Sequence, residues 1–108
     1  MPNQQTIRVM IVDDHLLFRE GLKSLFNKHG DIEVVAEASS GEEGLEIARA
    51  LEPDLILLDL NMPGMGGIET LRALREADLA ARILILAGAD AADDLVAAIR
   101  AGADGYLL

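Results

Sequence analysis

The chain contains no cysteine and no tryptophan, and only three aromatic residues, one Tyr and two Phe, among 108. Without thiols there is no disulfide framework and no thiolate metal site. The two histidines, His15 and His29, lack the spacing of a metal-ligand pair, so zinc is excluded at this level. So few aromatics leave little for a flavin or a base to stack on. Basic side chains are scarce too, nine Lys and Arg against nineteen Asp and Glu, for a formal charge of −10. That balance repels polyphosphate and argues against nucleic acid as a partner of this piece alone, whereas a basic partner or a cation suits it. No apolar run approaches the roughly 18 residues of a membrane span, and Met1 to Arg8 has no apolar core behind a basic flank. The expected setting is a soluble cytoplasmic domain without membrane contact.

What is present is apolar material, 51% of the residues, enough for one core and one domain over residues 1–108. Short apolar runs alternate with amphipathic stretches, the pattern of βα repeats that build a parallel sheet. Ile7 to Val12 reads as a first strand. Phe18, Leu22, Leu25 and Phe26 then share a helix face, and the helix is expected to end near Gly30. Glu33 to Ala38 carries charges and reads as an edge strand. Ser40 with Glu43 predicts a capping box for a second helix burying Leu45, Ala48 and Leu51, closed by Pro53. Leu55 to Leu58 is a strand buried on both faces, ending in Asp59, and Pro63-Gly64 marks the turn beyond it. Ile68, Leu71 and Leu74 face inward on a third helix, and Ile83 to Leu86 forms a fourth strand. Asp90 predicts a cap for a fourth helix with Asp93 and Asp94 in its first turn, Leu95, Ala98 and Ile99 inward and Gly102 at its end. Gly105 to Leu108 begins a fifth strand.

Right-handed crossovers restrict how these pieces assemble. With the edge strand beside strand one and the later strands on its other side, the order is 2-1-3-4-5. The first helix then lies on one face and helices two to four on the other. One helix does not cover a five-stranded face. The expectation is therefore a domain that stops before a fifth helix, or one that covers the face as a homodimer or segment-exchanged oligomer.

In that sheet the connections reverse direction between strands one and three, so the crevice at the switch point collects Asp13, Asp14 and Asp59. Two like charges about 4 Å apart repel by about 4 kcal/mol at an effective dielectric near 20, so the cluster calls for a cation or a raised pKa. Oxygen-only ligands beside open solvent point to Mg²⁺. With the charge screened, Asp59 can act as a nucleophile and form an aspartyl phosphate. Taken singly, each acid reads more simply as a turn or cap residue; their joint placement at a switch point favours a site.

The motifs Val12-Asp13-Asp14-His15, Leu57-Leu58-Asp59-Leu60-Asn61-Met62-Pro63-Gly64-Met65-Gly66-Gly67 and Gly102-Ala103-Asp104-Gly105-Tyr106-Leu107-Leu108 resemble those of response-regulator receiver domains of bacterial two-component systems, of the NarL/FixJ type. The resemblance covers nearly the whole chain and implies a flavodoxin-like α/β fold. It makes Asp59 the acceptor of phosphate from a sensor histidine kinase. Asp13 and Asp14 with Asp59 and the backbone carbonyl of Asn61 hold Mg²⁺, Tyr106 is the aromatic whose rotamer reports activation, and an output domain outside this chain binds DNA. Two departures stand out. Ala87 occupies the place of a Ser or Thr whose hydroxyl donates to the phosphoryl group, and the family's Lys would follow Leu108; Lys23 and Lys28 are both on the first helix. These motivate the alternative of an interaction or dimerisation module with an impaired phosphate switch. His15 and His29 read first as solvated helix-end residues, Tyr106 equally as a packed strand residue, and Met62 and Met65 as space-fillers. A nucleotide- or flavin-binding domain is disfavoured because Glu69 breaks the G-x-G-x-x-G spacing of Gly64, Gly66 and Gly67 and no Walker sequence exists. A haloacid-dehalogenase-like phosphatase is disfavoured because Asn61 stands where its second acid would be.

Overall fold

The computed structural model describes residues 6–62, 64–87 and 92–107. Its elements alternate: β1 (Ile7–Val12), α1 (Leu16–Phe26), β2 (Ile32–Ala38), α2 (Gly41–Leu51), β3 (Leu55–Asp59), α3 (Gly67–Glu76), β4 (Arg82–Leu86), α4 (Ala92–Ala101) and β5 (Gly105–Leu107). The five strands form one parallel sheet in the expected order β2-β1-β3-β4-β5. β1 and β3 sit centrally, with Val9 opposite Leu55 and Val12 opposite Leu58. Both central strands are buried on both faces, which is why their sequences are near-continuous aliphatic runs rather than alternating ones.

Side chains alternate across the sheet and create two unequal cores. On one face Met10, Val12, Ile56, Leu58, Ile83 and Ile85 meet Ala48 of α2, Leu71 and Leu74 of α3 and Ala98 of α4, all of them buried. On the other face Val9, Ile11 and Leu57 are buried, but only Leu22 and Phe26 of α1 close over them, and Leu84 and Leu86 are half-buried. α1 has no fully buried residue. Phe18 and Leu25, expected inward, are exposed, and so is Leu107 of β5.

Several local expectations are modified by what surrounds them. α1 ends at Phe26 with Asn27 as its cap, ahead of Gly30. At α2, Ser40 Oγ accepts from the Glu43 amide at 3.2 Å, while Glu43 Oε1 accepts from the Ser39 amide at 2.8 Å, so the reciprocal arm of the capping box is displaced by one residue. Leu51 is exposed, because the chain turns there: Glu52 takes φ 48° and the Arg8 guanidinium donates to the Leu51 and Glu52 carbonyls at 2.9 Å each. Ile99 is exposed, and Ala98 alone of its neighbours is fully buried. Gly102, at φ 115°, ends α4 as expected. The expected cap Asp90 and the turn residue Pro63 lie outside the described residues.

Arg75 ties the far side together. Its guanidinium donates to the Gly102 carbonyl at 2.9 Å, the Ala81 carbonyl at 3.0 Å and the Asp104 carboxylate, which also accepts from the Ile83 amide at 2.8 Å. One side chain thereby fixes α3, the start of β4 and the turn into β5.

Candidate functional site

The sheet continues briefly past its strands, and this sets the site. The Asp13 amide donates to the Ala38 carbonyl at 3.0 Å, the Leu60 amide to Leu86 at 3.2 Å and the Ala87 amide to Leu107 at 3.0 Å. Asp13 follows Val9 and Ile11 on the two-residue period of β1, and Asp59 follows Leu57 on that of β3, so both carboxylates extend rows belonging to the α1 face. The registered pair Ile11 and Leu57 lies two residues before each acid. The loop after β3 can lie close because residue 67 is glycine: a Cβ there would stand 2.5 Å from Leu60 Cα and 2.6 Å from the Asp59 carbonyl oxygen.

Asp13, Asp14, His15 and Asp59 each offer a ligand atom, and these atoms all lie within 4.8 Å of one another. Asp13 and Asp59 are buried. Asp13 Oδ1 accepts from the His15 amide at 2.8 Å, an Asx turn that begins α1, and lies 2.8 Å from His15 Nδ1. The same nitrogen is 3.2 Å from Asp14 Oδ1 and 3.9 Å from Asp59 Oδ2. Asp59 Oδ1 accepts from the Asn61 amide at 3.0 Å. Asp14 Oδ1 is buried and has no hydrogen-bond partner. An anionic oxygen left that way is costly in a protein and inexpensive beside a cation.

Burial is the main influence on Asp59: it pushes the carboxyl above its ordinary value, and the charges of Asp13 and Asp14 add to this against the Asn61 hydrogen bond and the His15 charge. His15 is raised above its ordinary value, first by its hydrogen bond to Asp13 and then by the charges of Asp14 and Asp13. The neighbouring cations are engaged elsewhere. Arg19 donates to the Asp13 carbonyl and to Glu37, and Lys23 to Glu37 at 2.7 Å. Among the described residues these ion pairs buttress the back of the site without neutralising its carboxylates. Three converging carboxylates with one orphaned oxygen form a donor set that fits a hard divalent cation.

Beside the cluster opens a cavity of about 380 Å³ lined by His15, Phe18, Leu22, Asp59, Leu86, Ala87 and Leu107. Ala87 faces the same space as Asp59, and its methyl group offers no donor. Tyr106 lies apart on β5, paired with Ile85 and exposed at 47%. Sequence reasoning brought the three acids together, read His15 first as a solvated residue at a helix start, and gave Arg19 and Glu37 no part at the site. For His15 a signal existed in the Asp-x-His spacing of an Asx turn; for Glu37 none did, since its role arises from β2 lying beside β1.

A doubly wound sheet of this order, with carboxylates gathered at its switch point, is the architecture of a signalling receiver. The chain belongs to the response regulator receiver domain family, whose model matches residues 9–108. It is 52% identical over 108 residues to the nitrate/nitrite response regulator protein NarL of Escherichia coli strain K12, covering 100% of this chain and 50% of that protein. It is 50% identical over 105 residues to the nitrate/nitrite response regulator protein homolog of Haemophilus influenzae, covering 97% of this chain and 50% of that protein. The chain therefore spans about half the length of these relatives. Among solved structures, the signal receiver domain of the NarL response regulator of Mycobacterium tuberculosis superposes with a TM-score of 0.90 at 39% identity, covering 96% of this chain and 84% of that one.

Proposed function

We propose that residues 1–108 act as a phosphoryl-accepting receiver unit in which Asp59 takes a phosphoryl group from the phosphohistidine of a sensor kinase. The observation that carries this reading is the division of labour at Asp59: Oδ1 is held by the Asn61 amide at 3.0 Å, while Oδ2 faces the acidic pocket. Oδ2 forms the new bond to phosphorus as the phosphorus–nitrogen bond of the donor breaks, and the electron pair leaves with the imidazole. Asp13, Asp14 and Asp59, with the Asn61 carbonyl, would hold Mg²⁺, which supplies charge neutralisation for an incoming phosphoryl group. The bidding for that ion comes from the orphaned Asp14 oxygen.

In the whole protein the phosphorylated domain would control a DNA-binding output domain outside this chain; the length of the relatives supports this reading. The uncovered surface around Phe18, Leu86 and Leu107 supports self-association as a homodimer or a segment-exchanged oligomer. Incubation with Mg²⁺ and a small phosphodonor, followed by intact-mass measurement, tests the assignment. Wild type gains one phosphoryl group and Asp59→Asn none; an unmodified wild type defeats it.

One observation favours a second reading, an interaction module whose phosphate switch is impaired. Ala87 lines the Asp59 cavity where a hydroxyl donor is expected. On that reading phosphorylation proceeds but leaves self-association unchanged, and Ala87→Thr restores the coupling, as read by sedimentation with and without phosphodonor.

A further inference from the structure

We propose that His15 is a nitrogen ligand of the acidic pocket, so that this receiver accepts borderline divalent cations such as Zn²⁺ through a mixed nitrogen and oxygen set. The inference rests on the reading that the pocket holds a divalent cation. Atoms bound to one first-row ion at about 2.1 Å stand roughly 3 to 4 Å from each other. His15 Nδ1 lies 3.2 and 3.9 Å from oxygens of Asp14 and Asp59, spacings that match the edges of such a shell, and its 2.8 Å hydrogen bond to Asp13 Oδ1 already aims it at the third carboxylate. The ring is held there from its own backbone, since the His15 amide is tied to Asp13 Oδ1 at 2.8 Å. The side chain is otherwise 67% exposed, so entry and rearrangement of a ligand meet no packed wall. The buried, unpartnered Asp14 Oδ1, 3.2 Å from His15 Nδ1, is a second donor.

Imidazole adds little affinity for a hard cation and much for a borderline one, so the prediction is a difference of differences. Calorimetry of the 108-residue chain at one fixed, near-neutral pH compares Mg²⁺ and Zn²⁺ in wild type, His15→Ala and His15→Asn. Zn²⁺ affinity should fall about tenfold or more in both variants, while Mg²⁺ affinity changes by less than about threefold. Nitrogen-15 NMR of the imidazoles in wild type gives an independent readout, with His29 as internal reference: Zn²⁺ should move the His15 Nδ1 resonance and leave His29 in place. Equal Zn²⁺ affinities, or a His15 ring unmoved at saturating Zn²⁺, overturn the proposal even if Mg²⁺ binds. If the variants fail to fold, the wild-type NMR result decides. Failure of wild type to bind either cation defeats the pocket reading itself and the inference with it.

Discussion

The two faces of the sheet carry similar aliphatic side chains and meet different fates. On the face covered by α2, α3 and α4, Leu71, Leu74, Ile56 and Ile83 are essentially sealed from solvent. On the α1 face a single helix covers the middle of the sheet, leaving Leu84 and Leu86 half-buried and Leu107 exposed. The closed face holds the fold together. The open face carries the carboxylates, because Asp13 and Asp59 extend its side-chain rows, and the cavity beside Asp59 is walled by Phe18 and Leu22 of α1 and by Leu86, Ala87 and Leu107 on the sheet side. The proposed acceptance of a group by Asp59 from outside suits the side that is incompletely packed.

If this division is right, truncation should be costly on one face and mild on the other. Leu71→Ala, fully buried under α3, should destabilise by about 3 kcal/mol in urea unfolding, the cost of lost transfer energy plus a cavity. Gly67→Ala should cost about 2 kcal/mol and also disturb the site, because the added methyl meets the backbone of Asp59 and Leu60. Intact-mass phosphorylation of this variant should be slowed along with its loss of stability.

Asp59→Asn sharpens the comparison from the other direction. Its carboxyl is raised above the ordinary 3.8, so the folded state binds the proton more tightly than the unfolded state. Stability then falls as pH rises from about that value through the raised folded value, and the cost of the ionised group is fully present above it. In metal-free buffer the Asn variant should be more stable than wild type at neutral pH and lose this advantage below the unfolded carboxylate pKa. An advantage independent of pH would show that charge is not its origin. The smallest effect belongs to Leu107→Ser on the open face, within about 0.5 kcal/mol for the isolated chain. A cost approaching that of Leu71→Ala would erase the distinction between the faces.

The helical expectations show what periodicity can and cannot tell. Spacing assigned Phe18, Leu22, Leu25 and Phe26 to one stripe, yet only Leu22 and Phe26 pack on the sheet. A hydrophobic stripe specifies which side of a helix prefers cover, and the amount of cover depends on elements elsewhere. Leu51 and Ile99 were misplaced for a related reason: each lies near a helix end, where the chain turns away from the core under Glu52 and Gly102.

The sequence by itself determined the order of elements, the buried central strands, the crossover topology and the meeting of Asp13, Asp14 and Asp59. The elements and buried strands follow from side-chain period and strand length, and the sheet order and the meeting of the acids from placing the charged strand at the edge together with the receiver motifs. Only the tertiary structure decided that His15 turns its ring into the cluster, that Arg19 and Lys23 are engaged by Glu37, and that Asp14 keeps a buried oxygen without a partner. Those facts depend on distances between side chains from separate strands and helices, and such distances exist only after the sheet has closed its pairings.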